Sequence, residues 1–337
     1  MKRVRYLLRV IHECRMQQFW QAVGKVCRRT GRSKLRVAGD MFRCALRYGA
    51  GYHDYLIYEF EHINRQGRRT YLTRIQNKKL ISLVNNPKYV MVFEDKARFS
   101  RCFSEYLGRE YLLMEDASEE EIEAFLQKQE VVFAKSREGG RYMERLVVSE
   151  FETVHKLVHY VMNPIKNFTV LEAQVQQHEA VAGLYPCGVN CLRMVTLIDD
   201  NGAPQCLYAV LKMGNAGRWT DSRREDSLVC PVDLETGRLK GRAYTPDMQS
   251  YEQHPYTGAV FKDYELPYVS EAIKLVKEVS LIVPQMRYMG WNIALTQTGP
   301  VLMEGVPYPE YDYGQLPEFT QERKGLLPQI QKYVKGM

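Results

Sequence analysis

The run Met289-Gly290-Trp291-Asn292-Ile293-Ala294-Leu295-Thr296-Gln297-Thr298-Gly299-Pro300-Val301-Leu302-Met303-Glu304-Gly305-Val306 constrains the fold more than any other stretch. Two alternating apolar segments flank a Gly-Pro turn, which is the pattern of an antiparallel hairpin. On this reading Glu304, in the second segment, stands opposite the amide of Asn292 in the first. Two oxygen-bearing side chains held over one spot can take a magnesium ion together with phosphate oxygens.

The chain has 337 residues, 45% of them apolar, which is material for two or three cores. No uninterrupted apolar stretch approaches the roughly 20 residues that cross a bilayer, and the amino terminus lacks a secretory signal pattern. A cytoplasmic protein is therefore expected. Eight cysteines, with no CxxC pair and mostly inside apolar segments, read as reduced core thiols. His155 and His159 lie four apart on a predicted helix and can share a metal. No further ligand is near in sequence, so an amphipathic helix face is the better reading.

Positive charge is concentrated at one end. Residues 1–50 hold 13 Lys/Arg against Glu13 and Asp40, a formal +11, leaving −4 for the rest of a chain whose total is +7. Val4, Leu7, Leu8, Ile11, Phe19, Trp20, Val23 and Val26 have helical spacing. The segment thus suits peripheral contact with an anionic membrane face, an acidic partner, or packing on its own protein. Nothing in it resembles a nucleic-acid-binding motif, and no nucleic-acid partner is expected.

Pattern changes divide the chain into a basic, mainly helical region over 1–90, an α/β module over 91–176, and a module of antiparallel grammar over 177–337. The expected fold class is α+β, with helices packed on antiparallel sheets. Asp95-Lys96 opens a predicted helix through Leu107, and Tyr111–Met114 reads as a short strand. Asp116 or Ser118 can cap a helix carrying Glu119, Glu120 and Glu121 in its first turn. Val131–Lys135 and Val170–Val175 read as strands around a helix over Phe151–Met162. Further strands are expected over Val189–Ile198, Cys206–Met213, Ser227–Val232 and Arg238–Tyr244. A helix from Val269 to Val283 precedes the hairpin, and a last one covers Phe319–Val334.

Several residues carry chemistry beyond the hairpin. Lys135 ends a strand and precedes a loop containing Gly139 and Gly140, which can fold over phosphates. One Lys–phosphate contact at 4 Å is worth roughly 4 kcal/mol at an effective dielectric of 20, before desolvation. A strand-end lysine beside a glycine turn is also commonplace, and no P-loop motif is present. Arg193 interrupts an apolar β-run and must snorkel, pair with an acid or meet an anionic ligand. Lys212 on the next strand has the same choices. Asn190 can orient a ligand, and Arg218 and Asp221 sit in a polar loop suited to a second substrate.

Taken in order, Asp95-Lys96, Lys135 with Gly139-Gly140, Glu172-Ala173-Gln174-Val175, Glu179 and Glu304 resemble the ATP-grasp superfamily. His178, Val189–Leu197, Val232-Asp233, Thr236-Gly237, His254-Pro255, Thr257-Gly258 and Gly290-Trp291 extend the likeness to its sugar-transfer-associated branch, over most of residues 90–310. The resemblance implies nucleotide held between two α+β modules, with ATP and Mg²⁺ as cofactors. Lys96 and Lys135 would bind phosphates, the Glu172–Val175 backbone would read adenine, and Glu179 would accept from ribose hydroxyls. Arg193 and Lys212 would stabilise charge on an acyl phosphate, and Glu304 with Asn292 would hold metal.

The implied activity is an ATP-dependent carboxylate–amine ligase serving cell-surface glycan synthesis, with small-molecule partners such as an amino acid and an amino sugar. The family hairpin supplies an acid after the tryptophan and then a Glu-x-Asn. Here those positions are Asn292, Glu304 and Val306, and the expected glycine pair is missing from residues 221–227. A degenerate nucleotide- or partner-binding protein and a kinase are therefore the competing readings. A sugar-nucleotide glycosyltransferase ranks lower, without a DxD motif.

Overall fold

The fold is that of a computed structural model, which describes residues 16–137, 143–215, 227–319 and 323–337. Contacts divide it into two units. One holds the described residues up to Leu83 with Asp247–Gln249 and those from Glu310 onward; the other holds Val84–Pro246 and Ser250–Pro309. No described helix is long and apolar enough to cross a membrane.

In the first unit, α1 (Met16–Thr30) and α2 (Lys34–Tyr48) are amphipathic and bury Ala22, Val23, Val26, Val37, Met41 and Cys44. The described part of the basic segment thus buries one apolar stripe on its own unit, while Met16, Trp20, Leu35, Phe42 and Leu46 stay exposed. Residues 1–15 of that segment lie outside the described residues. Tyr55, Tyr58, Phe60 and Tyr71 are fully buried, and Gln315 is buried with them. Its Oε1 accepts from the amides of Leu72 and Leu326, and its Nε2 donates to the carbonyls of Leu72 and Tyr311. These bonds satisfy backbone groups that burial would otherwise leave costly. α3 (Arg74–Val84) follows.

The second unit contains two antiparallel sheets. The strands β1 (Tyr111–Leu113), β2 (Val131–Ser136), β3 (Met143–Val147) and β4 (Phe168–Ala173) pair in the order β1-β4-β2-β3. The others are β5 (Cys191–Ile198), β6 (Pro204–Gly214), β7 (Ser227–Val232), β8 (Ala243–Tyr244), β9 (Ser250–Tyr251), β10 (Tyr288–Thr296) and β11 (Gly299–Val306), in the order β11-β10-β5-β6-β7-β8-β9. On the smaller sheet, Ile122, Phe125 and Leu126 of α5 (Glu119–Gln127) and Leu157, Val158 and Val161 of α6 (Val154–Val161) pack against Val132, Ala134 and Leu171. On the larger sheet, α7 (Val269–Ser280) buries Ala272, Val276 and Val279 in a core shared with Met194, Leu211 and Trp291.

Local chemistry sets the boundaries. Asp95 Oδ1 accepts from the amides of Ala97 and Arg98 at 3.0 and 3.1 Å and starts α4 (Lys96–Cys102). That helix stops short of Leu107, breaking at Phe103 into a separate turn over Ser104–Tyr106, and Gly108, with φ 58° and a Cβ position 2.2 Å from Val301, then turns the chain toward β1. Ser118, with Glu121, forms the capping box of α5. The hairpin loop is Gln297–Thr298, not the Gly-Pro pair, and Gly299-Pro300 opens β11. Thr296 closes that loop, accepting from the Thr298 amide and donating to the Gly299 carbonyl, and Pro300 is tolerated on an edge strand. The strand read over Arg238–Tyr244 shrinks to β8, because Asp233 ties the Glu235 and Thr236 amides and Lys240 into a turn. The last helix spans only Leu327–Tyr333. The seven cysteines among the described residues form no disulfide; Cys44 and Cys230 are buried core groups, Cys187 and Cys206 pack against the core while partly exposed, and Cys102 is exposed.

Gly305 permits the close approach of β11 to the aromatic core, since a Cβ there would lie 2.6 Å from Phe93. Gly305→Ala is expected to lower stability by about 1–3 kcal/mol in urea unfolding, as overpacking does. An unchanged midpoint would contradict that packing.

Candidate functional site

Strand register assembles the first half of the site. Arg193 on β5 faces Asn292 on β10, which faces Glu304 on β11, so the three form one row across the sheet. Asn292 pairs with Glu304 and Ile293 with Leu302, leaving Met303 as an extra residue. Such a bulge re-aims the neighbouring side chains. Asn292 Oδ1 accepts from Arg193 Nε at 2.6 Å, and its Nδ2 donates to Glu304 Oε2 at 3.3 Å. Lys96, at the head of α4, donates to Glu304 Oε1 at 2.5 Å. Lys212 is half-buried on β6 opposite Cys191, and therefore on the Arg193 face one step along.

The smaller sheet supplies the second half. Phe133 stands opposite Glu172, which makes Lys135 its diagonal neighbour on the same face. Glu172 Oε2 accepts from both Lys135 Nζ and Arg109 Nε, each at 2.7 Å. Arg109 also donates through Nη1 to the carbonyls of Leu107 and Leu302, both at 2.9 Å, which ties the Glu172 carboxylate to β11. Its side chain is 3% exposed, and Nη2 is buried with no partner among the described residues.

The two halves form one electrostatic cluster. Burial alone would raise the Glu172 carboxyl, but Lys135 and Arg109 hold it at about 2, from an ordinary 4.5. Burial pushes the Lys135 ammonium down, reinforced by Arg109 and Lys96 and opposed by Glu172. Burial likewise works against the Glu304 carboxylate, yet Lys96, then Lys135 and Arg193, keep its pKa below the ordinary value.

The remaining sequence candidates are placed differently. Val175, just beyond β4, is buried against Ala294 and Val301. Glu179 is exposed at the head of the one-turn helix Glu179–Ala182 and makes no ion pair among the described residues. Between them the chain crosses to the larger sheet, where the His178 amide bonds Leu295 and Gln177 bridges Thr296. Asn190 is fully buried, and its Nδ2 donates to the carbonyls of Val181 and Tyr185, so it clamps a turn rather than orienting a ligand. Gly139, Gly140, Arg218 and Asp221 lie outside the described residues. The sequence reading missed Arg109. A lone arginine between a helix end and a short strand carries no periodic signal.

The hairpin offers a divalent cation the Glu304 carboxylate and the Asn292 amide oxygen. Each accepts a protein donor, Lys96 and Arg193 respectively, and these are groups that a phosphate can draw away. One carboxylate and one amide oxygen suit a single Mg²⁺ whose other positions go to phosphate and water. Val306 brings no oxygen for a second.

The sequence profile of the sugar-transfer associated ATP-grasp family matches residues 129–332, more than half of the chain, and the chain belongs to that family. The fold is accordingly ATP-grasp, with a helical N-terminal region. Similar solved structures include the ATP-grasp ligase PsnB with a minimal precursor, at 12% identity over 71% of this chain and 58% of that one, with a TM-score of 0.41. N5-carboxyaminoimidazole ribonucleotide synthetase from Thermotoga maritima is 16% identical over 70% and 48%, with a TM-score of 0.39. N5-carboxyaminoimidazole synthetase from Staphylococcus aureus with ADP is 8% identical over 70% and 50%, with a TM-score of 0.41. The chain thus spans less than two thirds of each of these proteins. No curated protein matches significantly.

Because the folded Glu172 pKa is depressed, the stability it contributes is present above 4.5 and lost as pH falls toward 2. Glu172→Gln is therefore expected to melt well below the wild type at pH 7, with the gap narrowing by pH 3. A gap independent of pH would refute the shared-carboxylate arrangement. Arg109→Gln, which breaks the buried network, is expected to cost about 3 kcal/mol.

Proposed function

We propose that this cluster grips the phosphates of ATP and that the protein is an ATP-dependent carboxylate–amine ligase working through an acyl phosphate. The observation that carries the reading is the gathering of three cations around Glu304 within an ATP-grasp fold: Lys96 bonds it directly, Arg193 reaches it through Asn292, and Lys135 acts on it through space. Lys96 and Lys135 exchange their carboxylate partners for phosphate oxygens. The Glu172–Val175 segment reads adenine by its backbone, and Glu179, whose exposure leaves it open to ligand, accepts from the ribose. A substrate carboxylate oxygen attacks the γ-phosphorus and ADP leaves. The amine then attacks the acyl carbon, phosphate departs with the bonding pair, and the amine proton passes to solvent. Arg193, with Lys212 on the same face, stabilises the oxyanion and phosphate charge of that step. Glu304 and Asn292 hold one Mg²⁺, whose chemistry is to offset charge on the transferring phosphoryl group.

The words sugar-transfer associated in the family description favour a glycan setting, and the proposal takes an amino acid and an amino sugar as its substrate classes. A cytoplasmic location, with the basic N-terminal segment meeting an anionic membrane face, belongs to the same reading. A second reading is favoured by two observations: the Asn292 oxygen is held by Arg193, and Val306 cannot coordinate. It is a protein that binds nucleotide or a partner without turning over.

ATP with Mg²⁺ at 100 times its dissociation constant is expected to stabilise the protein by about 2.7 kcal/mol in a thermal-shift titration. Lys135→Ala should abolish that shift, and a shift that survives would remove the phosphate role. ADP release that requires an added acid separates the ligase from the non-catalytic binder. If turnover appears only in the doubly repaired Asn292→Asp, Val306→Asn variant, the second reading holds.

A further inference from the structure

Away from the cleft, the fold brings three metal-ligating side chains together on the helices that cover the four-stranded sheet. His155 and His159 lie four apart on α6, one turn above the other on one face. Glu119 opens α5, which packs beside α6 through Phe125, Leu126, Leu157 and Val158. The Nε2 atoms of the two histidines are 3.1 Å apart, and the ligand atoms of all three residues lie within 4.8 Å of one another. Two nitrogens bound to one tetrahedral ion at about 2.05 Å must sit about 3.3 Å apart, so the imidazole pair already has close to the required separation. The carboxylate is the third ligand that the sequence could not supply, because it arrives through the packing of a different helix.

We propose that Glu119, His155 and His159 form a surface zinc site, with water in the fourth position. Two imidazoles and one carboxylate are a donor set that suits Zn²⁺ and not Mg²⁺, which favours an all-oxygen octahedron. All three side chains are exposed, so the ion reaches them without any rearrangement of the core. Bound zinc clips the start of α5 to α6. It thereby braces the helical layer under the sheet that carries Lys135 and Glu172.

The test uses the full chain, stripped with chelator and free of nucleotide, titrated with ZnCl₂ by calorimetry and by thermal melting. One zinc per chain is expected, with a raised melting temperature and no displacement by excess MgCl₂. His155→Ala and His159→Ala should each abolish it, and Glu119→Gln should weaken it by at least about tenfold. With Co²⁺ the protein should show the intense visible absorption of a four-coordinate ion, lost in either histidine variant. Because the three positions are exposed, the variants should melt like the wild type without metal, which separates loss of binding from loss of fold. Zinc binding that persists in the histidine variants would assign the ion to thiols, and binding unchanged in Glu119→Gln would reduce the site to a histidine pair. Either result overturns the proposal.

Discussion

The Glu172 carboxylate is the point on which the site depends. One of its oxygens is shared by Lys135 and Arg109, and Arg109 reaches on to the Leu302 carbonyl of β11. The bonds therefore fix a lysine on one sheet relative to the hairpin of the other. Removing one partner from such a buried network leaves a charge uncompensated, which costs far more than the pair adds to stability over an apolar substitute. Its value lies in position rather than in net stability. Arg109, bonded to both Glu172 and the Leu302 carbonyl, keeps Lys135 near enough to act with Lys96 on Glu304.

The hairpin shows how changed residues keep a charge pattern while altering its chemistry. An amide at 292 lets Arg193 and Glu304 meet on one side chain, with Asn292 accepting from the guanidinium and donating to the carboxylate. An acid at that place could accept from the arginine but would repel Glu304. The row Arg193-Asn292-Glu304 is thus self-consistent as built.

Much of this was legible in the sequence, for reasons that differ by residue. Side-chain alternation showed that Asn292 and Glu304 lie on facing strands, but their direct pairing rests on the Gln297–Thr298 loop and the extra residue Met303, which the pattern did not show. Asp95 and Ser118 announced their helices because capping is local chemistry. Turn closure was harder. Gly299-Pro300 looked like the loop, yet the Thr296 hydroxyl moved it to Gln297–Thr298. Arg109 and Glu119 were not legible as site residues, since each acquires its role from a partner brought by tertiary packing. Asn190 had the right residue type for a ligand contact, but burial turned it into a clamp.

The most direct measurement is a crystal structure of the protein with a non-hydrolysable ATP analogue and Mg²⁺. The account expects the triphosphate between the two sheets, with Lys96 and Lys135 turned from Glu304 and Glu172 onto phosphate oxygens and a single metal at Glu304. Nucleotide bound elsewhere, with both lysines still on their carboxylates, would contradict it.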